Sequence, residues 1–317
     1  MKIYNIPTMP FFVLAPMDDV TDIVFRQSIT NMAAPDMFFT EFVNVEGLQS
    51  RGRANIIHKL KLEQPNVPVI AQIWGKNPEN YQKTASELVD MGFAGIDINM
   101  GCPKKSEVNS GCCSALINNR ELAVDIIRAT KEGVAGRIPV SVKTRLGWGE
   151  VDFSWHELLL NQGLDMLTIH GRTTKQMSKV PANWDDIKHV RELRDKISPK
   201  TLIVGNGDVQ NRQHGEDLAM ATGVDGVMVG RAIFNDPYLF AINSPWQDMP
   251  ISDKLKLYKD HVLLFAETYQ NQEKNWQGLK RLAKMYVNSV ENASDIREKL
   301  VRSDTIEEML SNLDSNI

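Results

Sequence analysis

The stretch PVIAQIWGKNPENYQKTASELVDMGFAGIDINMGC, residues 68–102, contains a complete strand–helix–strand unit. Both of its ends, PVIAQIWG and GIDINMGC, are short apolar runs of the kind that form buried strands. Between them, residues 77–91 have helical periodicity, with Pro78 at a first-turn position and Gly92 as a C-terminal stop. A strand, a crossover helix and a second strand predict a parallel pair.

Six further apolar runs extend this pattern, and each is followed by a segment with helical periodicity. They are FFVLAPM at 11–17, MFFTEFV at 37–43, PVSVKTRLG at 139–147, MLTIHGRT at 166–173, TLIVGNGDV at 201–209 and GVMVGRAI at 226–233. Several are apolar on both alternating faces, which is typical of parallel strands. Eight strands alternating with helices predict an α/β fold, a (β/α)₈ TIM barrel, rather than an open doubly wound sheet of about five to seven strands.

After Pro245 the strand-like runs end, and the remaining sequence predicts a C-terminal helical bundle. The amphipathic segments are 252–270, 276–290 and 293–313. We therefore predict a TIM-barrel catalytic domain over residues 1–244 and a helical bundle domain over residues 245–317.

The composition is that of a folded protein with nearly balanced charge. Hydrophobic residues make up 42% and charged residues 24%, which excludes a disordered chain. Because 36 Lys+Arg face 40 Asp+Glu, nucleic acid would have to bind at a local basic patch. Cys102, Cys112 and Cys113 show no paired spacing, so we predict no disulfide framework, no metal site and a reducing cytoplasm. No apolar run reaches about eighteen residues, so we expect no membrane span, and we expect a monomer.

Polar residues cluster at the C-terminal ends of the predicted strands, where TIM barrels build their active sites. They are Gln72, Asn99, Cys102, Lys143, Arg145, His170, Arg172, Asn206, Asp208, Gly230 and Arg231. If these residues shared no function, they would be spread evenly between the two ends of the barrel. The clustering therefore indicates an active site.

The last two strands end in turns that suit a phosphate group. These turns are GNGDV at 205–209 and VGRAI at 229–233. Glycine lets backbone N–H groups approach an anion, and TIM barrels commonly hold phosphate after strands seven and eight. Arg231 adds a fixed positive charge that can bind phosphate oxygens.

Lys143 shares an alternation face with Ser141 and Arg145 inside an otherwise apolar strand. A cation facing a barrel interior needs an anion or an electron-rich partner. One possibility is a carboxylate on a neighbouring strand; we favour the N1/O2 edge of a flavin, where negative charge develops on reduction. His170 ends the next strand, between this lysine and the phosphate turns, which favours a functional role for it too.

Cys102 stands in a rigid turn between Gly101 and Pro103, directly after a strand. A nucleophilic role would require an activated thiolate, whereas a general acid requires the neutral thiol. The sequence leaves both roles open. Cys112 and Cys113 fit better as small buried hydrophobic residues.

Taken together, these motifs resemble those of the tRNA-dihydrouridine synthase family over nearly the full chain, most closely the bacterial synthase C subgroup. The motifs are LAPMDDVTD at 14–22, TEFV at 40–43, AQIWG at 71–75, DINMGCP at 97–103, VKTRLGW at 142–148, HGRT at 170–173, NGDV at 206–209 and GVMVGRAIFNDPYLF at 226–240. The resemblance implies an oxidoreductase with bound FMN that NADPH reduces. Hydride would pass to C6 of a D-loop uridine in tRNA, and Cys102 would protonate C5 to give 5,6-dihydrouridine.

The resemblance also implies the roles of the remaining site residues. Those implied to bind the cofactor are Pro16, Met17, Asp18, Gln72, Lys143, His170, Asn206, Gly207, Asp208, Gly230 and Arg231. Asn99 and Arg145 would hold the flipped uracil. Two features depart from the family pattern: Cys112 and Cys113 replace small residues, and the run TKQMSKVPANW after HGRT lacks a tyrosine before its tryptophan.

A uridine in a folded tRNA must be turned out of its stack, which calls for a second RNA-binding surface. Lys280, Arg281 and Lys284 fall on one helical face, with Trp276 and Tyr286 nearby, and we predict that they bind tRNA. A solvated helix face with core aromatic residues is the alternative for this cluster.

Two other functions stay open from the sequence. One is an FMN-dependent TIM-barrel oxidoreductase of a small molecule, similar to dihydroorotate dehydrogenase, which would leave the C-terminal helices without a purpose. The other is an RNA-binding protein without turnover, which the complete set of active-site residues disfavours.

Overall fold

The computed structural model describes residues 9–62, 67–271, 273–287 and 293–317. Its strands are β1 Phe11–Leu14, β2 Phe38–Phe39, β3 Val43–Asn44, β4 Val69–Trp74, β5 Gly95–Met100, β6 Val140–Arg145, β7 Met166–His170, β8 Leu202–Asn206 and β9 Gly226–Val229. Its α-helices are α1 Ile23–Ala33, α2 Val45–Leu48, α3 Pro78–Asp90, α4 Lys105–Asn109, α5 Arg120–Val134, α6 Phe153–Leu160, α7 Trp184–Ile197, α8 Arg212–Thr222, α9 Ile251–Thr268, α10 Gln277–Tyr286, α11 Ala293–Arg302 and α12 Ile306–Asp314. Short 3₁₀ helices cover Arg53–Asn55, Ile57–Leu60, Cys113–Asn118 and Arg231–Phe234.

The strands form one parallel sheet that curls into a barrel. The order is β1-β9-β8-β7-β6-β5-β4-β2, and β3 also pairs with β4. First and last strands meet in register, Phe11 opposite Gly226, and a parallel bridge between Val13 and Met37 joins the remaining edges. The predicted (β/α)₈ TIM barrel is confirmed.

The predicted second strand, 37–43, is two short strands in the structure. Both β2 and β3 pair with β4, so together they occupy one position in the barrel. Thr40 lies between them, and its hydroxyl accepts a hydrogen bond from the main-chain N–H of Gln72 at 3.1 Å. The Thr40 hydroxyl thus accepts the hydrogen bond that a main-chain carbonyl would accept if β2 and β3 were one continuous strand.

The helices begin and end where the sequence signals lie. α3 starts after Asn77, whose side chain accepts a hydrogen bond from the N–H of Glu79, and Pro78 occupies the first turn. Gly92 follows the helix with φ +89°, in the left-handed region that glycine adopts without strain. α5 covers the predicted segment 120–134.

The chain divides into two compact units. The first holds the barrel and consists of the described residues up to Asp18 together with Pro35–Gly230. The second consists of Asp19–Ala34 and Arg231–Ile317. This division differs from the predicted one at residue 244, because α1 and residues 231–244 group with the C-terminal helices.

The second unit has its own buried core. The rings of Tyr258 and Tyr286 stack with centroids 4.8 Å apart, and the Tyr286 hydroxyl lies 2.9 Å from Nδ1 of His261.

The single helix predicted over 293–313 is wrong: α11 and α12 are separate, and Thr305 caps α12 by accepting from the N–H of Glu308. The end of the predicted helix 276–290 lies outside the described residues. No helix among those described is long and apolar enough to cross a bilayer.

The N-terminal half of the barrel interior is a closed apolar layer. Its buried members are Phe11, Val13, Ala15, Met37, Phe39, Ile70, Met166, Leu202, Val204 and Met228. Because side chains alternate along a strand, the residues two positions further along β4 to β8 face the same interior, nearer the C-terminal ends. That is where the polar residues lie.

Gly133 tests how tightly α3 packs on α5. A Cβ at this position would lie 2.3 Å from the main-chain oxygen of Gln82 and 2.7 Å from Cβ of Ala85. Gly→Ala in a helix is normally worth about 1 kcal/mol of added stability. For Gly133→Ala we expect the opposite sign, a loss of about 1–3 kcal/mol, because the helices would have to separate. Urea unfolding of the variant and of the unaltered protein measures this difference in the free energy of unfolding.

The control is Glu132→Ala, an exposed position next to it on the same helix. We expect a change within about 0.5 kcal/mol there. Stabilisation by Gly133→Ala would show that the two helices are less closely packed than the structure has them.

Candidate active site

A layer of buried polar residues lies above the apolar layer of the barrel. In register across neighbouring strands, Gln72 pairs with Asp97, Asp97 with Ser141, Asn99 with Lys143, Lys143 with Thr168 and His170 with Asn206. Asp97, Gln72 and Ser141 have no exposed surface. The structure thus brings the predicted Gln72, Asn99, Lys143, His170 and Asn206 into one layer at the C-terminal end of the barrel.

Lys143 is held by an amide. Its Nζ donates to Oδ1 of Asn206 at 3.2 Å, and Nδ2 of Asn206 donates to the carbonyl of Met228 at 2.8 Å. Burial lowers the pKa of Lys143 to about 8, with the charge of Arg145 acting in the same direction and Asp97 opposing it. Its hydrogen-bond partner is thus an asparagine on β8, while the carboxylate of Asp97 on the neighbouring strand β5 acts on the ammonium through its charge. The ammonium keeps N–H groups that can bind an electron-rich ligand.

The turn after β5 is held by the side chain of Asn99. Its Oδ1 accepts the main-chain N–H groups of Gly101 at 3.1 Å and Cys102 at 3.0 Å, and its Nδ2 donates to Oε1 of Gln72 at 3.0 Å. Cys102 is half-buried at the end of this run. The thiol is therefore fixed to the polar layer through its own backbone.

The Cys102 thiol has a second thiol as its neighbour. A hydrogen bond from the buried Cys113 lowers the pKa of Cys102 to about 7, helped by the main-chain N–H of Lys104 and opposed by burial. The pKa of Cys113 is raised, since its proton is held in this hydrogen bond and since it is buried. At neutral pH, Cys102 therefore divides about equally between thiol and thiolate. Both Cys112 and Cys113 are buried, in line with their sequence interpretation.

His170 and Asp208 are linked by Arg172, which is 3% exposed. Its Nη1 lies 3.1 Å from Nε2 of His170, and its Nη2 donates to both carboxylate oxygens of Asp208, at 2.7 and 2.5 Å. Arginine has only donors, so Nε2 of His170 must accept. This contact therefore uses Nε2 of His170 as an acceptor and ties the ring to Arg172.

The turns after β8 and β9 bring backbone to the same end of the barrel. Gly207 has φ +132°, and a Cβ there would lie 2.6 Å from Cβ of Ala182. The Asp208 carboxylate accepts from Arg172 and from the N–H of Ala182, which ties the turn after β8 to the segment after β7. A Cβ at Gly230 would meet no atom within 4 Å, so this backbone borders open space.

The remaining predicted cofactor residues follow the first and last strands of the barrel. Pro16, Met17 and Asp18 follow β1, where Ala15 donates its N–H to the carbonyl of Val229 at 2.8 Å. Pro16 and Met17 are half-buried, and exposed Asp18 accepts from Nζ of Lys59 at 2.5 Å. Arg231 is exposed and opens the 3₁₀ helix of the second unit.

Arg145, predicted to hold substrate, binds main-chain carbonyls. Its Nε donates to Gly101 at 2.7 Å, and its Nη1 donates to Thr173 and Met177, each at 3.1 Å. It therefore ties the Cys102 turn to the segment after β7. The N–H groups of Nη2 are what it can offer a substrate.

The predicted RNA-binding residues lie on α10 of the second unit. Nζ of Lys280 lies 4.9 Å from the centre of the Trp276 ring, Nη2 of Arg281 lies 3.8 Å from Oδ2 of Asp19, and Lys284 is exposed. Tyr286 is fully buried in the helical core and is not part of that surface.

Three members of the site were not assigned a role from the sequence: Asp97, Cys113 and Thr168. Asp97 is two positions before Asn99 and so shares its face of β5, a signal the alternation already contained. The hydroxyl of Thr168 is buried with no hydrogen-bond partner in the described part of the protein. The contact of Cys113 with Cys102 depends on a backbone with φ +56° at Cys113 and has no sequence signal.

A closed parallel barrel with a thiol, an interior lysine and glycine turns at its C-terminal end is the architecture of a TIM-barrel enzyme. The family model described as "Dihydrouridine synthase (Dus)" matches residues 13–317. A protein of Staphylococcus aureus strain MRSA252, named "Probable tRNA-dihydrouridine synthase", is 42% identical over 96% of this chain and 92% of its own length. The Bacillus subtilis protein "Probable tRNA-dihydrouridine synthase 2" is 40% identical over 96% of this chain and 93% of its own. This chain belongs to the dihydrouridine synthase family.

We expect Cys113→Ala to raise the pKa of Cys102 from about 7 toward the ordinary thiol value near 8.5, because the hydrogen bond that stabilises the thiolate is lost. The measurement is the pH midpoint of iodoacetamide alkylation at Cys102, read by mass spectrometry of its peptide. The midpoint is used because a thiolate of higher pKa is also intrinsically more nucleophilic.

Cys112→Ala is the matched control, a buried neighbouring thiol whose hydrogen-bond acceptor is the carbonyl of Ser110. Its midpoint should stay near that of the unaltered protein. A midpoint that does not move in Cys113→Ala would contradict the thiol–thiol contact.

Proposed function

We propose that this chain is a tRNA-dihydrouridine synthase that uses NADPH and bound FMN to reduce a D-loop uridine. The observation that carries the proposal is the Cys102 thiol, fixed by Asn99 at the C-terminal end of a barrel whose interior presents the cation Lys143. The names of the 40–42% identical relatives support it. The assignment to the synthase C subgroup stays a prediction.

The polar layer fits a flavin. Thr168 contributes a buried hydroxyl that has no partner among the described residues, beside the ammonium of Lys143. Gly230 presents backbone toward open space, as a phosphate would require. Gln72, Lys143 and His170 would hold the ring together with Pro16, Met17 and Asp18. Asn206, Gly207, Asp208, Gly230 and Arg231 would hold the ribityl chain and the phosphate.

The chemistry adds two hydrogens across the C5–C6 double bond of uracil. FMN held by these residues would supply the hydride for C6, with NADPH as the reductant. Cys102 carries the proton that C5 takes up, and its pKa of about 7 leaves a substantial neutral fraction at physiological pH. Lys143 offers positive charge where a reduced ring accumulates negative charge. Asn99 and Arg145 would bind the uracil carbonyl and imide groups.

The tRNA must present an unstacked uridine, which calls for contacts beyond the barrel. Arg281 and Lys284 are exposed on α10, and Lys280 lies over the face of Trp276. We assign tRNA backbone contacts to these three side chains. We propose that the enzyme acts on tRNA in the cytoplasm and that it does so as a monomer.

The direct test is to purify the protein, record its visible spectrum, incubate it with NADPH and unmodified tRNA, and map dihydrouridine by nucleotide. A flavin spectrum and dihydrouridine at a D-loop position are expected. Flavin with reduction of a free pyrimidine and none of tRNA would replace the proposal with a small-molecule reductase. Protein without flavin would refute the cofactor assignment.

Cys102→Ala is expected to keep its flavin and to lose at least about 100-fold in the rate of dihydrouridine formation, since no proton reaches C5. Flavin content is measured by absorbance and the rate by single turnover with pre-reduced enzyme. Cys112→Ala, which removes a thiol outside the reaction, serves as control. Reduction of tRNA by Cys102→Ala at the unaltered rate would exclude Cys102 as the proton donor.

Lys280, Arg281 and Lys284 changed together to alanine should weaken tRNA binding and flatten its salt dependence. Each phosphate contact contributes about 0.7–0.9 to the slope of log K against log salt, so the slope should fall by about 2. Oxidation of NADPH by the flavin should stay unchanged.

The control for this triple change removes the same charge elsewhere in the second unit, at the exposed Lys256, Lys299 and Arg302. Equal loss of slope in both triple variants would mean that α10 is not the specific RNA surface.

A further inference from the structure

Asp97 is a fully buried carboxyl group that the proposed reaction does not use. It lies on β5, and its oxygens accept from Oγ of Ser141 at 2.6 Å and from Nε2 of Gln72 at 2.8 Å. Removing a carboxylate from water costs several kcal/mol unless hydrogen bonds and charge replace the water. A residue kept at this cost in the centre of the polar layer calls for an explanation.

The carboxylate decides which way the neighbouring amides point. An ionised carboxylate only accepts hydrogen bonds, so the Gln72 amide must turn its NH₂ toward Asp97. Oε1 of Gln72 then faces Nδ2 of Asn99, which donates to it at 3.0 Å. Because Nδ2 of Asn99 faces Gln72, Oδ1 of Asn99 is turned toward the main-chain N–H groups of Gly101 and Cys102 and accepts from both. The direction of each hydrogen bond follows from the one before it.

The side chains become more exposed in the order Asp97, Gln72, Asn99 and Cys102, toward the C-terminal end of the barrel. Asp97 and Gln72 have no exposed surface, Asn99 is 5% exposed, and Cys102 is half-buried. Asp97 is therefore separated from the thiol by two amides, and its influence on Cys102 passes through them. The Asn99 amide keeps one further N–H that a ligand can use, and its orientation is fixed in advance.

We propose that Asp97 is a positioning residue whose carboxylate sets the orientation of the Gln72 and Asn99 amides and, through them, the turn that holds Cys102. This inference rests on the proposed function for its catalytic meaning. Its structural content is independent of that function, because the hydrogen-bond run ends on the backbone of Cys102 whatever the substrate.

Three variants separate the hydrogen bonds from the charge. Asp97→Asn removes the charge but keeps an oxygen that can accept from Gln72; its NH₂ can donate to Ser141, whose hydroxyl has the carbonyl of Ile96 at 3.4 Å as an alternative acceptor. Asp97→Ala removes the charge and also both oxygens that accept from Ser141 and Gln72. Thr201→Val is the control: it loses a buried hydroxyl bonded to Leu164 at the other end of the barrel.

Two readouts are measured on each variant. One is kcat and KM for tRNA, with flavin content recorded. The other is the pH midpoint of Cys102 alkylation, which needs no substrate. We expect Asp97→Ala to lower kcat about 100-fold with KM little changed, because a misplaced group costs about that much. Its alkylation midpoint should rise, because a loosened turn separates Cys102 from Cys113. Asp97→Asn should recover kcat to within about tenfold, and Thr201→Val should match the unaltered protein in both readouts.

The proposal is overturned if Asp97→Ala, folded and flavin-loaded, has an unaltered kcat and midpoint. It is equally overturned if Asp97→Asn loses as much as Asp97→Ala, since the charge and not the orientation would then matter. If Asp97→Ala does not fold, Asp97→Asn decides alone: near-normal kcat and midpoint support the proposal, and loss of both refutes it. Should the unaltered protein form no dihydrouridine, the proposed function fails, while the alkylation midpoints still test Asp97.

Discussion

The barrel interior has to accommodate Asp97 and Lys143, two ionisable groups taken out of water on adjacent strands. Burial raises the pKa of Asp97 to about 6 and lowers that of Lys143 to about 8, so each group is pushed toward neutrality and is kept charged by its neighbours. Hydrogen bonds from Ser141 and Gln72 stabilise the carboxylate, and the two charges favour each other. The rest of the site follows from this arrangement. Gln72, which donates to the carboxylate, accepts from Asn99, and Asn99 holds the Cys102 turn. Asn206, which accepts from Lys143, ties the end of β8 to Met228.

Two buried arginines give the loops around the site their shape. Arg145, at the end of β6, binds carbonyls of the turn after β5 and of the segment after β7. Arg172, just beyond β7, joins that segment to Asp208 after β8 and donates to Nε2 of His170. A guanidinium offers five donors in a rigid plane, which suits it to gathering several acceptors at once. Arg145 thus binds mainly backbone carbonyls and Arg172 binds mainly side chains, whereas Lys143 keeps ammonium N–H groups that can meet a ligand.

The sequence predicted the barrel because its signal is repeated: eight apolar runs alternate with helical segments, and glycine or proline marks the boundaries, as at Pro78 and Gly92. Because TIM barrels build their active sites at the C-terminal ends of their strands, the sequence also located the polar layer without any knowledge of side-chain contacts. What the sequence could not supply were the interactions between distant residues. Nothing in the period of residues 37–43 shows that the hydroxyl of Thr40 replaces a ladder hydrogen bond, and nothing near α1 shows that it groups with helices more than 200 residues later. The alternation of side chains along β5 could have predicted that Asp97 faces the barrel interior with Asn99. Its partners Ser141 and Gln72 are known only once β4, β5 and β6 are paired.

The thiol pair shows how a neighbouring side chain can tune the acidity of Cys102. A proton donor works best when its pKa lies near the working pH, since a weaker acid gives up its proton slowly and a stronger one has already lost it. A cysteine in an apolar turn would have its pKa raised by burial, and it would then be a weak acid. Cys113 offsets that effect by donating a hydrogen bond, which brings the pKa of Cys102 to about 7. Because a hydrogen-bonded thiolate is also the form that alkylating agents attack, the same contact that strengthens Cys102 as an acid makes it more reactive when no substrate covers it.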